Sequence, residues 1–383
     1  MGWRLVKRDT PLPGGQVRAF AVGLLLALVL GSILLLAAGH NPLSTYQRML
    51  DASFGSLREI STTLDRAVPL GLAGLAVAVA GSMGLWNIGA EGQIIAGAIA
   101  AAWVARLAPD LNGFSLITLM LLASVVGGAL LALGPALARA QLGVSEIITT
   151  LMLNEVAIRI VRYLVNGPWK DPLSFGFPAA PELPDQAALP DLYQRSNIGL
   201  LIAAVVIAVF GWLAARSRWG YELRLAGSSE RAAQYVGISL KSKVLTVLVL
   251  SGAFAGLAGG ILLTGSSDRL VEGVGGGFGY AGIIVAALAL MRPSGVAAVA
   301  VAFGAVQVGG LAIETQGVPA AIADILQGLI LFGALTAAVF GNYRLVRGSA
   351  DADTTETADP VDESAGTESI GTDLPGEIAG GPA

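Results

Sequence analysis

The sequence predicts an all-α, polytopic membrane protein: a bundle of about ten transmembrane helices with both termini inside. Three observations carry this. Only 13% of the 383 residues are charged and 54% are hydrophobic, with a mean hydropathy of +0.71, whereas soluble domains carry about a quarter charged residues. Apolar runs approaching the roughly 20 residues that cross a bilayer recur along nearly the whole chain, leaving no room for a separate soluble domain. Basic residues also divide unequally between alternate connecting segments.

The runs lie at about 19–38, 67–84, 92–107, 115–135, 146–165, 197–215, 244–265, 280–291, 294–313 and 319–340. Arg4, Lys7 and Arg8 precede the first, which is longer than a typical signal-peptide core and reads as a retained span. The eighth is too short for a straight span and suggests a broken helix, tolerated where its free backbone groups are buried in protein. With an internal N-terminus, 14 bases fall inside (Arg4, Lys7, Arg8, Arg18, Arg139, Arg216, Arg218, Arg224, Arg231, Lys241, Lys243, Arg292, Arg344, Arg347). Seven fall outside (Arg48, Arg58, Arg66, Arg106, Lys170, Arg195, Arg269).

Residues 346–383 read as a disordered tail. Nine acids and no base lie beyond residue 349, and without those acids the chain has 23 bases against 18 acids. Residues 1–18 form a short cytoplasmic lead-in and 19–345 the membrane domain. A proline-rich outer stretch, 166–196, reads as a lid, a docking surface or a plain connector. An inner one, 216–243, is dense in charge and holds a short helix that Ser228 or Ser229 can cap and Gly237 can end. Small-residue stripes such as Gly71–Gly74 and Gly252–Gly260 suit close helix packing in lipid. Spans two to five and seven to ten run in opposite senses, which permits an inverted repeat.

Chemistry is constrained by absences. There is no Cys, and Gly is never followed by Lys, so no P-loop exists. The single histidine, His40, lies at the outer end of the first span, which rules out imidazole metal clusters and Ser-His-Asp catalysis, so an enzyme is not expected and no metal or cofactor is called for. Gly273–Gly279 reads as a flexible or close-packed turn rather than a nucleotide loop. Polar residues within spans are costly and carry a functional expectation: Asn87, Glu91, Gln93, Glu146, Asn154, Glu155, Gln307, Asp324 and Gln327. Asn154 is the foremost pore-lining candidate, against an interhelical hydrogen bond. Glu155 and Arg159, at i and i+4, are spaced to pair.

At Asn87–Gln93 the chain reads Asn-Ile-Gly-Ala-Glu-Gly-Gln, and Ser145–Asn154, Gly220–Gly227, Ala232–Ile238, Ser251–Gly259 and Gly279–Ala286 follow in order. This series resembles the bacterial ABC importer permeases for nucleosides and simple sugars over about residues 41–340. The lead-in Asn41–Tyr46 is similar to that of the larger permease of nucleoside importers. Gly81–Trp86 departs from the family's usual Phe-Arg-Ala-Gly-Leu-Phe, and the acidic tail is not a family feature. The resemblance implies a permease in the bacterial plasma membrane that moves a nucleoside, or alternatively a simple sugar such as a pentose, without covalent chemistry. Its implied partners are an ABC ATPase, a second permease, a substrate-binding lipoprotein and the bilayer, with no nucleic acid. It implies a solute pathway at Trp86, Asn87, Glu91, Gln93 and Asn154. It implies ATPase coupling through 216–243, at Gly220, Arg224, Gly227, Ala232, Ala233 and Gly237, with the small Ala232 and Ala233 turned to the partner. An ion-coupled transporter, supported only by Asp324, is the rival class.

Overall fold

The computed structural model describes residues 3–7, 15–174, 176, 178–340 and 343–347. Apolar periodicity without charge gives helices, and the described residues form thirteen of them: α1 Gly15–Ala37, α2 Pro42–Phe54, α3 Leu57–Gly81, α4 Ala90–Leu107, α5 Gly113–Leu142, α6 Glu146–Asn166, α7 Gly199–Arg216, α8 Arg218–Ser228, α9 Glu230–Tyr235, α10 Leu240–Gly265, α11 Phe278–Leu288, α12 Val296–Glu314 and α13 Ala320–Phe340. Every one of the ten predicted apolar runs lies on a helix, and the eighth, on α11, is short as expected. Among the described residues, five helices are long and apolar enough to cross a membrane, or six when α1 and α2 are taken as one bent span.

Four strands accompany the helices among the described residues. β2 (Asp191–Tyr193) and β3 (Ser196–Asn197) pair antiparallel within the proline-rich segment. In a separate unit, β1 (Trp3–Lys7) pairs antiparallel with β4 (Tyr343–Arg347). Neither pairing was expected, and β4 runs past the anticipated tail boundary at residue 346. The rest of the acidic tail lies outside the described residues.

The helical unit is built around α3 and α10, which pack on each other. The partners are exchanged reciprocally: α3 also packs on α11 and α12, while α10 packs on α4 and α5. Each of the two central helices thus packs on two helices that follow the other in the chain. The small-residue stripe makes the central crossings possible. A Cβ at Gly97 or Gly128 would overlap the backbone of Gly256 or Gly252, so α4 and α5 meet α10 backbone to backbone.

Two helices outside the apolar runs were not anticipated. In α2, Asn41 caps the start by accepting from the Leu43 N–H (3.0 Å), Pro42 opens the first turn, and the chain bends 116° from α1. The Tyr46 hydroxyl then donates to the Leu28 carbonyl, tying α2 to α1. The other helix, α8, precedes the expected short helix.

The proline-rich segment is an anchored cap rather than a free lid. Backbone bonds from Leu189 to Thr264, Leu183 to Asp268 and Ala180 to Leu270 stitch it to the end of α10 and the chain that follows. Ser61 and Asp65 of α3 hold Ser196 and Asn197.

Candidate functional site

Four of the five predicted pathway residues converge where α3 ends and α4 begins. α3 stops at Gly81, and Gly84 takes a left-handed turn (φ +73°) that reverses the chain before the Asn87–Gln93 motif. Asn87 accepts from the Gly89 N–H (3.0 Å) and the Gln93 side chain (3.1 Å). Its own amide donates to Gln93 Oε1 and to Ser251 Oγ of α10, both at 2.7 Å. Ser251 passes the bond to the Ala76 carbonyl of α3 at 2.5 Å. The result is a closed hydrogen-bonded loop of α3, the motif and α10.

Glu91 sits in the first turn of α4 and points at the N-terminus of α11. It accepts from the Gly277 N–H (2.9 Å) and the Gly279 N–H (2.7 Å). One carboxylate therefore meets the positive ends of two helix dipoles, where anions are favoured. Gly277 supplies the left-handed conformation (φ +75°) that turns these N–H groups inward. A Cβ at Gly275 or Gly279 would strike Glu91. Of the two readings of Gly273–Gly279, the structure selects the close-packed turn.

Asn154 of α6 completes the set. Its side chain accepts from the Gly92 N–H and donates to the Ile88 carbonyl, both at 2.9 Å, with a longer contact to the Tyr280 hydroxyl at 3.4 Å. Asn87, Glu91, Gln93 and Asn154 are all at most 5% exposed, and each is hydrogen-bonded within the chain. Trp86, the fifth residue, stands apart at 42% exposed. Its backbone N–H donates to Glu146 (3.3 Å), which also pairs with Arg139 (3.3 Å) and so holds the turn to the α5–α6 corner. Sequence reasoning missed Ser251, Gly277, Gly279 and Tyr280, because these partners lie more than 120 residues from the motif. The predicted Glu155–Arg159 pair does not form; neither residue has a partner among the described residues.

The predicted coupling segment divides into α8 and α9. As expected, Ser229 caps α9 by accepting from the Ala232 N–H (3.2 Å), and Gly237 ends it at φ +81°. Gly220 lies at the α7–α8 corner, where a Cβ would overlap the Ala214 carbonyl, and Arg224 donates to that same carbonyl. Gly227 lies against Ser82 and Met83, so this segment touches the turn that leads into the motif. Lys243 of α10 reaches Glu222 of α8 at 2.5 Å, a hydrogen bond that holds that carboxyl below its ordinary range. Ala233 requires a correction. It is fully buried against the chain's own body, while Ala232 is half-buried; Tyr235 (95% exposed) and Val236 (67%) form the outward face instead.

A family model described as the permease component of the branched-chain amino acid transport system matches residues 59–335. The chain belongs to this permease family. The permease is 36% identical to the glucose ABC transporter permease protein TsgB13 of Haloferax volcanii, over 84% of this chain and 87% of that one. It is 31% identical to the guanosine ABC transporter permease protein NupP of Bacillus subtilis, over 81% and 90%. It is 30% identical to the nucleoside ABC transporter permease protein NupB of Lactococcus lactis, over 81% and 88%. The permease is thus a multi-pass membrane transport component and not an enzyme.

Proposed function

We propose that the permease is the membrane-spanning subunit of an ABC importer for nucleosides in the cytoplasmic membrane, driven by ATP hydrolysed on a separate subunit. The supporting observation is that two relatives at 30% and 31% identity, each matched over 81% of this chain, are permeases named for guanosine and nucleosides. A simple sugar is the second reading, favoured by the relative named for glucose at 36% identity. A second permease and a substrate-binding lipoprotein complete the proposed assembly. ATP-driven uptake of guanosine against glucose by the reconstituted transporter tests the reading.

In this proposal residues 19–345 form the membrane domain, with ten spans and both termini inside, as the 14 to 7 division of bases favours. Residues 216–243 then face the cytoplasm and meet the ATPase. An exposed tyrosine and valine side by side on a short, charged, capped helix suit a docking contact. The absence of native cysteine makes the arrangement directly testable. In intact cells a cysteine at Pro181 is expected to react with a membrane-impermeant thiol reagent and one at Tyr235 to stay unlabelled. In inside-out vesicles the Tyr235 cysteine is expected to react at least tenfold faster once the ATPase is stripped. Labelling of position 235 in intact cells would overturn the topology, and a rate indifferent to the ATPase would overturn the docking face.

A further inference from the structure

The buried motif leaves the question of which side chains meet the solute, and α6 answers it. This helix packs mainly on α4 and α5, and 11 of its 21 residues are exposed. At 21 residues it is about 31 Å long, which places Glu155 near its middle and Arg159 one turn further on. Both are exposed, and neither has an ion-pair or hydrogen-bond partner among the described residues. Acceptor-only and donor-only groups of this kind are costly against lipid and are found facing a bundle interior or a water-filled cavity. The surface beside them is shallowly concave. A groove of about 350 Å³ is lined by Glu155, Arg159 and Tyr163, and a second of about 520 Å³ shares Arg159 and Tyr163 and continues to Arg162, which pairs with Glu272 at 2.5 Å.

We propose that Glu155 and Arg159 on the open face of α6, not the buried Asn87, Glu91, Gln93 and Asn154, are the groups of this chain that contact the solute in a hydrated passage. The buried four have no such freedom, because their hydrogen bonds are already spent inside the protein. The open pair offers a carboxylate acceptor and a guanidinium donor one helical turn apart, beside the Tyr163 ring. That combination fits an uncharged solute carrying both donors and acceptors on a flat or hydroxylated frame, which is the chemistry of a nucleoside or a sugar. Asn154 supports the face from behind, tying this turn of α6 to the motif through Gly92 and Ile88.

The proposal rests on the importer reading, so the test begins with wild-type uptake of guanosine and of glucose in the same membranes. Loss of wild-type uptake for both would count against that reading and not against α6 in particular. Single cysteines replace Glu155, Arg159 and, as an exposed apolar control on α7, Val205. A water-soluble thiol reagent is expected to label positions 155 and 159 but not 205, and saturating transported solute to slow labelling at 155 and 159 at least tenfold. In parallel, Arg159→Gln is expected to raise KM for uptake at least tenfold, with the amount of assembled complex unchanged, and Arg159→Lys to recover part of the loss. Labelling indifferent to solute, or an unchanged KM in Arg159→Gln, would overturn the assignment. Dissociation of the complex on Arg159→Gln would also overturn it, because it would make this face a subunit contact.

Discussion

Replacing Glu91 by alanine is expected to abolish uptake and to lower the amount of folded permease in the membrane. The substitution removes the acceptor for two N–H groups, those of Gly277 and Gly279, at the start of α11. A buried donor left without a partner costs about 1–3 kcal/mol. Two such donors cost about 2–6 kcal/mol together, a large share of a typical stability of about 5–15 kcal/mol. The loss also frees α11 from α4. Glu91→Gln keeps one acceptor oxygen but replaces the other with a donor facing an N–H, so it is expected to fall between the two. Uptake and detergent-extracted monodisperse yield measured together decide the matter. Wild-type uptake in Glu91→Ala would show that the carboxylate does not hold α11 in place.

An effect of similar size is expected at a glycine with no chemistry of its own. A Cβ at Gly259 would overlap the Ile94 carbonyl oxygen, and a Cβ at Gly97 would overlap Gly256, so α10 and α4 cross in backbone contact. Unlike the end of a flexible side chain, a helix backbone cannot move aside without shifting its whole element. Overpacking a tight contact by extra methylenes costs about 1–3 kcal/mol where side chains can give way, and more where they cannot. Gly259→Leu is therefore expected to leave little or no folded permease in the membrane. Gly134→Ala, in α5, meets only the Leu153 side chain at 3.9 Å and is expected to fold normally. Fluorescence-detected size exclusion of the two variants provides the comparison, and equal, wild-type profiles would contradict the close crossing.

How much of this was legible in the sequence depends on what each residue answers to. Position along the chain was legible: ten apolar runs located ten helices, because burial in lipid or protein demands a continuous apolar stretch. The amphipathic α2 and the charged α8 were not, since their lower hydrophobicity is shared with loops. The motif was legible as a cluster, but its role was not. A polar side chain within a span avoids the cost of lipid equally by facing water or by bonding to a neighbouring helix. For Asn87 the decisive neighbour, Ser251, is 164 residues away. Ala233 failed for a related reason: a small residue marks a close contact without saying with what, and here the contact is with the chain itself.

The central claim, transport powered by a separate ATPase, is tested most directly by reconstituting the permease with the proposed ATPase, second permease and binding protein in liposomes and measuring guanosine entry. Uptake is expected to require ATP on the ATPase side, to be indifferent to proton and sodium gradients, and to fall at least tenfold when the ATPase is omitted. Guanosine entry that follows an imposed ion gradient without ATP would contradict the account.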